Sequence, residues 1–217
     1  MTSKYQAGLF DLDGVIVDTA KYHYLAWQNL AHDLGFEFTE KDNQRLKGVS
    51  RMRSLEILLE VGGVTLNDES KIRLAKQKNE QYLEFIRKID HSELLPGAEV
   101  FLWCLKKKGI KTALGSASKN APLIIKNLKI EHLFDAVIDG NKVAKAKPDP
   151  EVFLLGAQEL GVESPKCIVF EDAEAGLQAA RAAGMYAVGI GQPDELPSAD
   201  IVFPGLYALR VEDLFQV

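Results

Sequence analysis

The stretch GLFDLDGVIVDT, residues 8–19, decides how this chain reads. It begins as an apolar run suited to a buried strand and then sets two carboxylates, Asp11 and Asp13, one residue apart ahead of Gly14. Residues two apart on an extended chain point the same way, so both carboxylates start on one face. Held that close, two negative charges repel and raise each other's pKa unless a cation lies among them. Which fold that strand belongs to follows from the texture of the remaining chain.

From about residue 20 to 90 the pattern is helical throughout. KYHYLAWQNLAHDLG ends at a glycine, SRMRSLEILLEVGG ends at two, and NDESKIRLAKQKNEQYLEFIRKI is long and amphipathic. From LLPG, residues 94–97, short apolar runs (IKTALGS, AVID, CIVFED, YAVGIG, DIVF) alternate with helical segments such as AEAGLQAARAAG. That alternation predicts a parallel sheet wrapped by helices. The strand at residues 5–10 belongs with these by composition, so the helical block reads as an insertion. The expected architecture is an α/β protein: a parallel-sheet core from residues 1–18 and 92–217, with an all-helical cap at residues 19–91.

Bulk properties narrow the functions. With 47% hydrophobic and 26% charged residues among 217, the chain reads as a soluble protein with one sizeable core. No apolar stretch approaches the roughly 20 residues a membrane helix needs, and MTSKYQAGLFDLDG lacks the long apolar region of a signal peptide, so a cytoplasmic location is expected and no membrane partner. Cys104 and Cys167 each sit in an apolar segment and read as buried thiols. A net charge of -5 without a basic stripe argues against nucleic acid. The run Lys106-Lys107-Lys108 before Gly109 reads as a solvated helix end. No interface signature stands out, and a monomer is expected.

In open parallel sheets, ligands sit at the carboxyl ends of the strands. One predicted strand ends in Asp11-Leu12-Asp13-Gly14, the next in Gly115-Ser116-Ala117-Ser118, and a later one in Glu171-Asp172. Asp172 converging on Asp11 and Asp13 calls for a hard, oxygen-liking cation, with Mg²⁺ the natural choice. A carboxylate, a magnesium and hydroxyl or N–H donors in one crevice suit phosphoryl transfer through an acyl phosphate. Ser116, backbone N–H groups near Ala117 and a lysine of AKAKPDP supply the donors. Lys147 is favoured over Lys145 because Pro148 and Pro150 stiffen the backbone beside it. Taken singly, each piece has an ordinary explanation in turn chemistry, helix capping or surface loops. Their joint occurrence at successive strand ends does not.

Strand-DLDGV, the serine after the second strand, Lys147-Pro148 and FEDAEAG together resemble the four motifs of the haloacid dehalogenase superfamily of phosphotransferases. Within it, DTAKYHYLAW, LKGVSR and SASKN are similar to the beta-phosphoglucomutase family over nearly the whole chain. The resemblance implies a Rossmann-like core with a helical cap inserted after the first motif. It implies Asp11 as the phosphorylated nucleophile and Asp13 as general acid and base, with His23 at the cap hinge supporting Asp13. Magnesium would be held by Asp11, the Asp13 backbone carbonyl and Asp172, with Glu171 close by. Ser116, Ala117 and Lys147 would hold the transferring phosphate. Arg51 with Lys47 and Gly48 from the cap, and Ser118, Lys119 and Asn120 from the core, would hold the other end of the sugar phosphate. The implied reaction converts beta-D-glucose 1-phosphate to D-glucose 6-phosphate, with beta-glucose 1,6-bisphosphate as priming donor.

Two departures stand out. Met52-Arg53 replaces residues that are usually acidic and is expected to add positive charge beside Arg51. The loop DGNKVAKAKPDP carries Gly140-Asn141 and the extra Lys145. A sugar-phosphate phosphatase on the same scaffold is the main rival reading. A non-enzymatic phospho-aspartate switch is a weaker one, because it leaves the cap without a purpose. His23 also has an ordinary alternative, packing beside Tyr22, Tyr24 and Trp27.

Overall fold

The computed structural model describes residues 4–46 and 49–215, and Lys47 and Gly48 therefore lie outside the described residues. Two compact units emerge: Met1–Asp18 with Asp90–Val217, and Thr19–Ile89.

The first unit is built on a parallel sheet. Among the described residues its strands are β1 (Ala7–Phe10), β2 (Lys111–Gly115), β3 (Ala136–Ile138), β4 (Cys167–Glu171), β5 (Tyr186–Ile190) and β6 (Ile201–Phe203). Their order is β3-β2-β1-β4-β5-β6. β1 is therefore central, and the connections reverse direction on either side of it. A doubly wound sheet of this order opens a crevice at the carboxyl ends of the strands beside that reversal. β1 and β4 are fully buried, as continuous apolar runs require when both faces are covered.

One face packs Leu9, Ala113 and Val169 against α7 (Glu151–Leu160) and α8 (Glu174–Ala182), through residues such as Phe153, Ala157, Leu177 and Ala180. On the other face Phe10 stacks on Phe170 with centroids 4.5 Å apart, and both meet Phe101 edge-on at 6.2 and 5.5 Å. Phe101 comes from α5 (Ala98–Lys107). Offset and edge-on ring contacts of this kind add specificity to apolar burial.

The second unit is all-helical: α1 (Ala20–Asp33), α2 (Glu40–Gln44), α3 (Arg51–Gly62) and α4 (Asp68–Ile86). Its core places Trp27, Leu30 and Ala31 of α1 against Leu55, Leu58 and Leu59 of α3, both at the three-and-four spacing of one helix face, together with Leu74 and Ala75 of α4. Helix starts are set by side chains. Ser50 accepts from Arg53 N–H, Asn67 from Ser70 N–H, and Thr39 forms a capping box with Asp42. No described helix is long and apolar enough to cross a membrane.

Candidate active site

Strand register brings the chemistry together. Phe10 is level with Leu114 on one side and Phe170 on the other. The next residues of the three central strands, Asp11, Gly115 and Glu171, therefore form a row across the sheet's carboxyl edge. Lys147 Nζ caps that row, 2.5 Å from Asp11 Oδ1, 2.6 Å from Glu171 Oε1 and 2.9 Å from the Gly115 carbonyl oxygen. All three donor positions of its ammonium are thereby used. Its aliphatic stem lies beside Phe153, with Nζ 4.9 Å from the ring centroid.

The electrostatics are those of a buried charge cluster. Burial pulls the Lys147 ammonium down, but the Asp11 and Glu171 carboxylates outweigh it and its pKa is raised. For Glu171, burial comes first and, together with the Asp11 charge, outweighs Lys147, so its pKa is raised too. One ammonium does not fully neutralise the acidic groups here. Asp11, Glu171 and Asp172 each offer a carboxylate oxygen, and the three oxygens lie within 4.8 Å of one another. An all-oxygen, multiply anionic donor set of that span fits Mg²⁺. Gly14 makes room for it. At φ 84° it takes a turn that L side chains avoid, and a Cβ there would overlap the Asp172 carboxylate. Asp13 sits in the same turn, which is closed by Gly14 N–H donating to the Val17 carbonyl at 2.8 Å.

The loop after β2 carries the anion-binding candidates. Ser116 is buried, its N–H donates to the Ile138 carbonyl at 2.9 Å, and its hydroxyl accepts from Ser118 N–H at 3.1 Å. Ser118 Oγ in turn accepts from Asn120 N–H at 3.2 Å, one residue before α6 (Ala121–Asn127). Among the described residues nothing accepts from the N–H of Ala117 or Lys119, so both remain available to an anion. Lys145, by contrast, is exposed and pairs with Asp149 at 3.4 Å. Of the two lysines in AKAKPDP, the structure brings only Lys147 to the strand ends.

In the helical unit, Arg51 opens α3 half-buried, and among the described residues no carboxylate pairs with it. Burial lowers its pKa and outweighs the opposing influence of Tyr82, as expected of a guanidinium partly removed from water. Arg53 differs. Its guanidinium is held by Glu56 at 2.9 Å and Glu60 at 3.3 Å, so the positive charge expected beside Arg51 is neutralised locally. His23 stacks on Tyr82 with centroids 3.9 Å apart, and its Nδ1 lies 2.6 Å from Lys78 Nζ. Burial, then Lys78, then Arg51, push its pKa well below the usual 6.5, leaving a neutral ring whose Nδ1 accepts from the ammonium.

Lys78 went unnoticed in the sequence because KQKNEQ reads as a solvated helix face. It is nonetheless buried, 4.5 Å from the Trp27 ring centroid and 5.0 Å from that of Tyr82. The available signal was its register: Leu74, Lys78, Tyr82 and Ile86 recur every four residues on the buried side of α4. Tyr82 OH meets the Thr19 hydroxyl at 3.0 Å, joining α4 to the residue before α1.

Comparison with known proteins agrees with this geometry. Residues 5–184 match the model of the haloacid dehalogenase-like hydrolases. The chain is 45% identical over 213 residues to a beta-phosphoglucomutase of Bacillus subtilis, covering 97% of this chain and 94% of that protein. It is 34% identical to a fructose-1-phosphate phosphatase of Escherichia coli, covering 88% and 98%. Among solved structures, a beta-phosphoglucomutase from Clostridium difficile superposes with a TM-score of 0.91 at 43% identity, covering 96% of this chain and 95% of that one.

Proposed function

Given that the chain belongs to the haloacid dehalogenase-like hydrolase family, we propose that it is an enzyme interconverting beta-D-glucose 1-phosphate and D-glucose 6-phosphate by way of an aspartyl phosphate on Asp11. The observation that carries this reading is the row of Asp11, Gly115 and Glu171 capped by Lys147, with Asp172 beside it. A carboxylate pinned in this way has one oxygen fixed by an ammonium and the other directed to attack phosphorus.

Each residue has a task in the cycle. Phosphorylated Asp11 donates its phosphoryl group to the 6-hydroxyl of beta-glucose 1-phosphate, and Asp13 accepts the hydroxyl proton. The resulting 1,6-bisphosphate turns end for end. Asp11 then attacks the 1-phosphate, the bond from phosphorus to O1 breaks, and Asp13 returns the proton to O1, releasing glucose 6-phosphate. Ser116 Oγ and the Ala117 N–H hold the equatorial phosphoryl oxygens, and Lys147 joins them by turning the donor it gives Asp11 toward the transferring group. Ser118, Lys119, Asn120 and Arg51 bind the phosphate that stays on the sugar, a task for which a half-buried guanidinium with no carboxylate partner among the described residues is suited. Asp11, the Asp13 carbonyl, Glu171 and Asp172 are the residues that would hold Mg²⁺, which when bound neutralises charge on the transferring group. The same bisphosphate, supplied from outside, primes Asp11.

A coupled assay on the purified chain tests the proposal, with Mg²⁺ and a trace of beta-glucose 1,6-bisphosphate, offering the beta and alpha anomers of glucose 1-phosphate separately. Glucose 6-phosphate from the beta anomer alone, with little free phosphate, is the expected result. Phosphate release without isomerisation would instead place the chain with phosphatases such as its Escherichia coli relative. Arg51→Ala is expected to lower mutase turnover by about a hundredfold or more and acetyl phosphate hydrolysis far less.

A further inference from the structure

The 117–119 segment leans on a turn that the reaction does not itself use. This turn, Asp139–Gly140–Asn141, follows β3, the strand paired with β2. Gly140 N–H donates to the Ser118 carbonyl at 3.3 Å, and Asn141 Nδ2 donates to the Lys119 carbonyl at 3.3 Å. The approach is so close that a Cβ on Gly140 would overlap the Ala117 carbonyl oxygen and stand 3.1 Å from Lys119 Cγ. Three successive carbonyls, of residues 117, 118 and 119, thus meet the turn.

A trans peptide is planar, with its C=O and N–H on opposite sides. Holding those three carbonyls toward the turn therefore directs the N–H groups of Ser118, Lys119 and Asn120 away from it; the first and third are taken by the Ser116 and Ser118 hydroxyls, which leaves the Lys119 N–H aimed outward for an anion. The turn is itself braced. Asn141 N–H donates to the buried Asp139 carboxylate at 2.7 Å, and Lys142 N–H to the Asp139 carbonyl at 3.0 Å. Further on, the Glu151 carboxylate accepts from the N–H groups of Ala144 and Lys145 at 3.0 and 2.7 Å, tying the same loop to the first turn of α7.

We propose that the Asp139–Gly140–Asn141 turn positions the 118–120 backbone for the phosphate that stays on the sugar. Its residues act through the loop and touch no substrate. This inference rests on the reading of Ser118, Lys119 and Asn120 as that phosphate's site. Ordering the loop before the ligand arrives removes an entropic cost from binding, so the turn sets affinity for substrates with a second phosphate and leaves the chemistry at Asp11 alone.

The test compares two phosphoryl donors for Asp11: beta-glucose 1,6-bisphosphate, which has a second phosphate, and acetyl phosphate, which has none. Asn141 is exposed, so Asn141→Ala should keep the fold, as a thermal melt would verify. It is expected to raise KM for the bisphosphate about 3- to 10-fold, the scale of one hydrogen bond, with kcat and acetyl phosphate hydrolysis within twofold of the parent. Gly140→Ala, which must displace the Ala117 carbonyl, should raise that KM further. An unchanged bisphosphate KM in Asn141→Ala, or an equal loss with both donors, overturns the inference. Lys119→Ala separates the two levels. If it raises KM while Asn141→Ala does not, the positioning role fails and the phosphate site stands. If Lys119→Ala leaves KM unchanged, the site was misassigned and the inference falls with it.

Discussion

Lys147 in the sheet unit and Lys78 in the helical unit are both buried, yet their surroundings share almost nothing. Lys147 is met by two carboxylates and a carbonyl, all at the ends of adjacent strands. Lys78 is met by an imidazole and the faces of Trp27 and Tyr82. The first lysine compensates charge that the fold has concentrated, whereas the second lies against aromatic faces and a neutral ring. A strand edge concentrates acidic groups because register lines them up. In the helix interface, rings 4.5 and 5.0 Å away stand over the cation.

The contrast can be broken most sharply at its acidic end. Asp11→Asn is expected to abolish the phosphoenzyme, seen by mass spectrometry after bisphosphate addition, and to cut turnover by at least about 10⁴-fold. Lys147→Ala should follow, leaving Asp11 and Glu171 without their cation. In metal-free buffer the loss of stability is expected to be about 3–5 kcal/mol by urea denaturation, with Mg²⁺ restoring more to the variant than it adds to the parent. Unaltered stability in that variant would mean that Lys147 compensates nothing.

Lys78→Met is expected to act chiefly through His23, whose Nδ1 the ammonium meets at 2.6 Å. Its signature lies in pH. His23 is held neutral in the fold, with a pKa well below 6.5. Above about pH 6.5 neither the folded nor the unfolded state binds the proton, and stability is flat with respect to this group. Below it the unfolded chain takes the proton first, so stability falls by up to about 1.4 kcal/mol per pH unit until the folded ring also titrates. Removing the Lys78 charge raises the folded pKa toward 6.5 and shortens that fall. Urea midpoints from pH 7 to 4.5, with the His23 ring followed by NMR, would show it. The smallest effect is expected from Arg53→Ala, which exchanges two exposed ion pairs for none and should leave both KM and melting temperature unchanged.

Legibility in the sequence followed the same divide. Alternating apolar runs announced the parallel sheet, and carboxylates placed directly after those runs announced the acidic cluster, since strand ends are where such sheets hold ligands. Hidden from that reading was the register, which puts Asp11 level with Glu171 and Gly115 and is set by pairing between distant segments. Lys147 was separable from Lys145 through its prolines, but its three partners were not. Arg53 shows the converse: a charge conspicuous in the sequence is cancelled by Glu56 and Glu60 one and two helical turns on. Gly140-Asn141 stood out only as a departure, because its contact with the 117–119 segment joins two loops that no local pattern connects. The short α2 has no buried residue and rests on its capping box, so apolar periodicity carried no trace of it.

The central position of β1 also dictates an order of events during synthesis. Ala7 pairs with Lys111 and with Cys167, so the strand that leads into Asp11 is translated first and waits for roughly a hundred residues before its first neighbour exists. The helical unit, Thr19–Ile89, is translated in that interval. Until β4 emerges, Asp11 lacks both the Glu171 carboxylate that shares Lys147 and the Phe170 carbonyl that accepts its N–H, so the row at the strand ends is completed only when that distant segment joins the sheet.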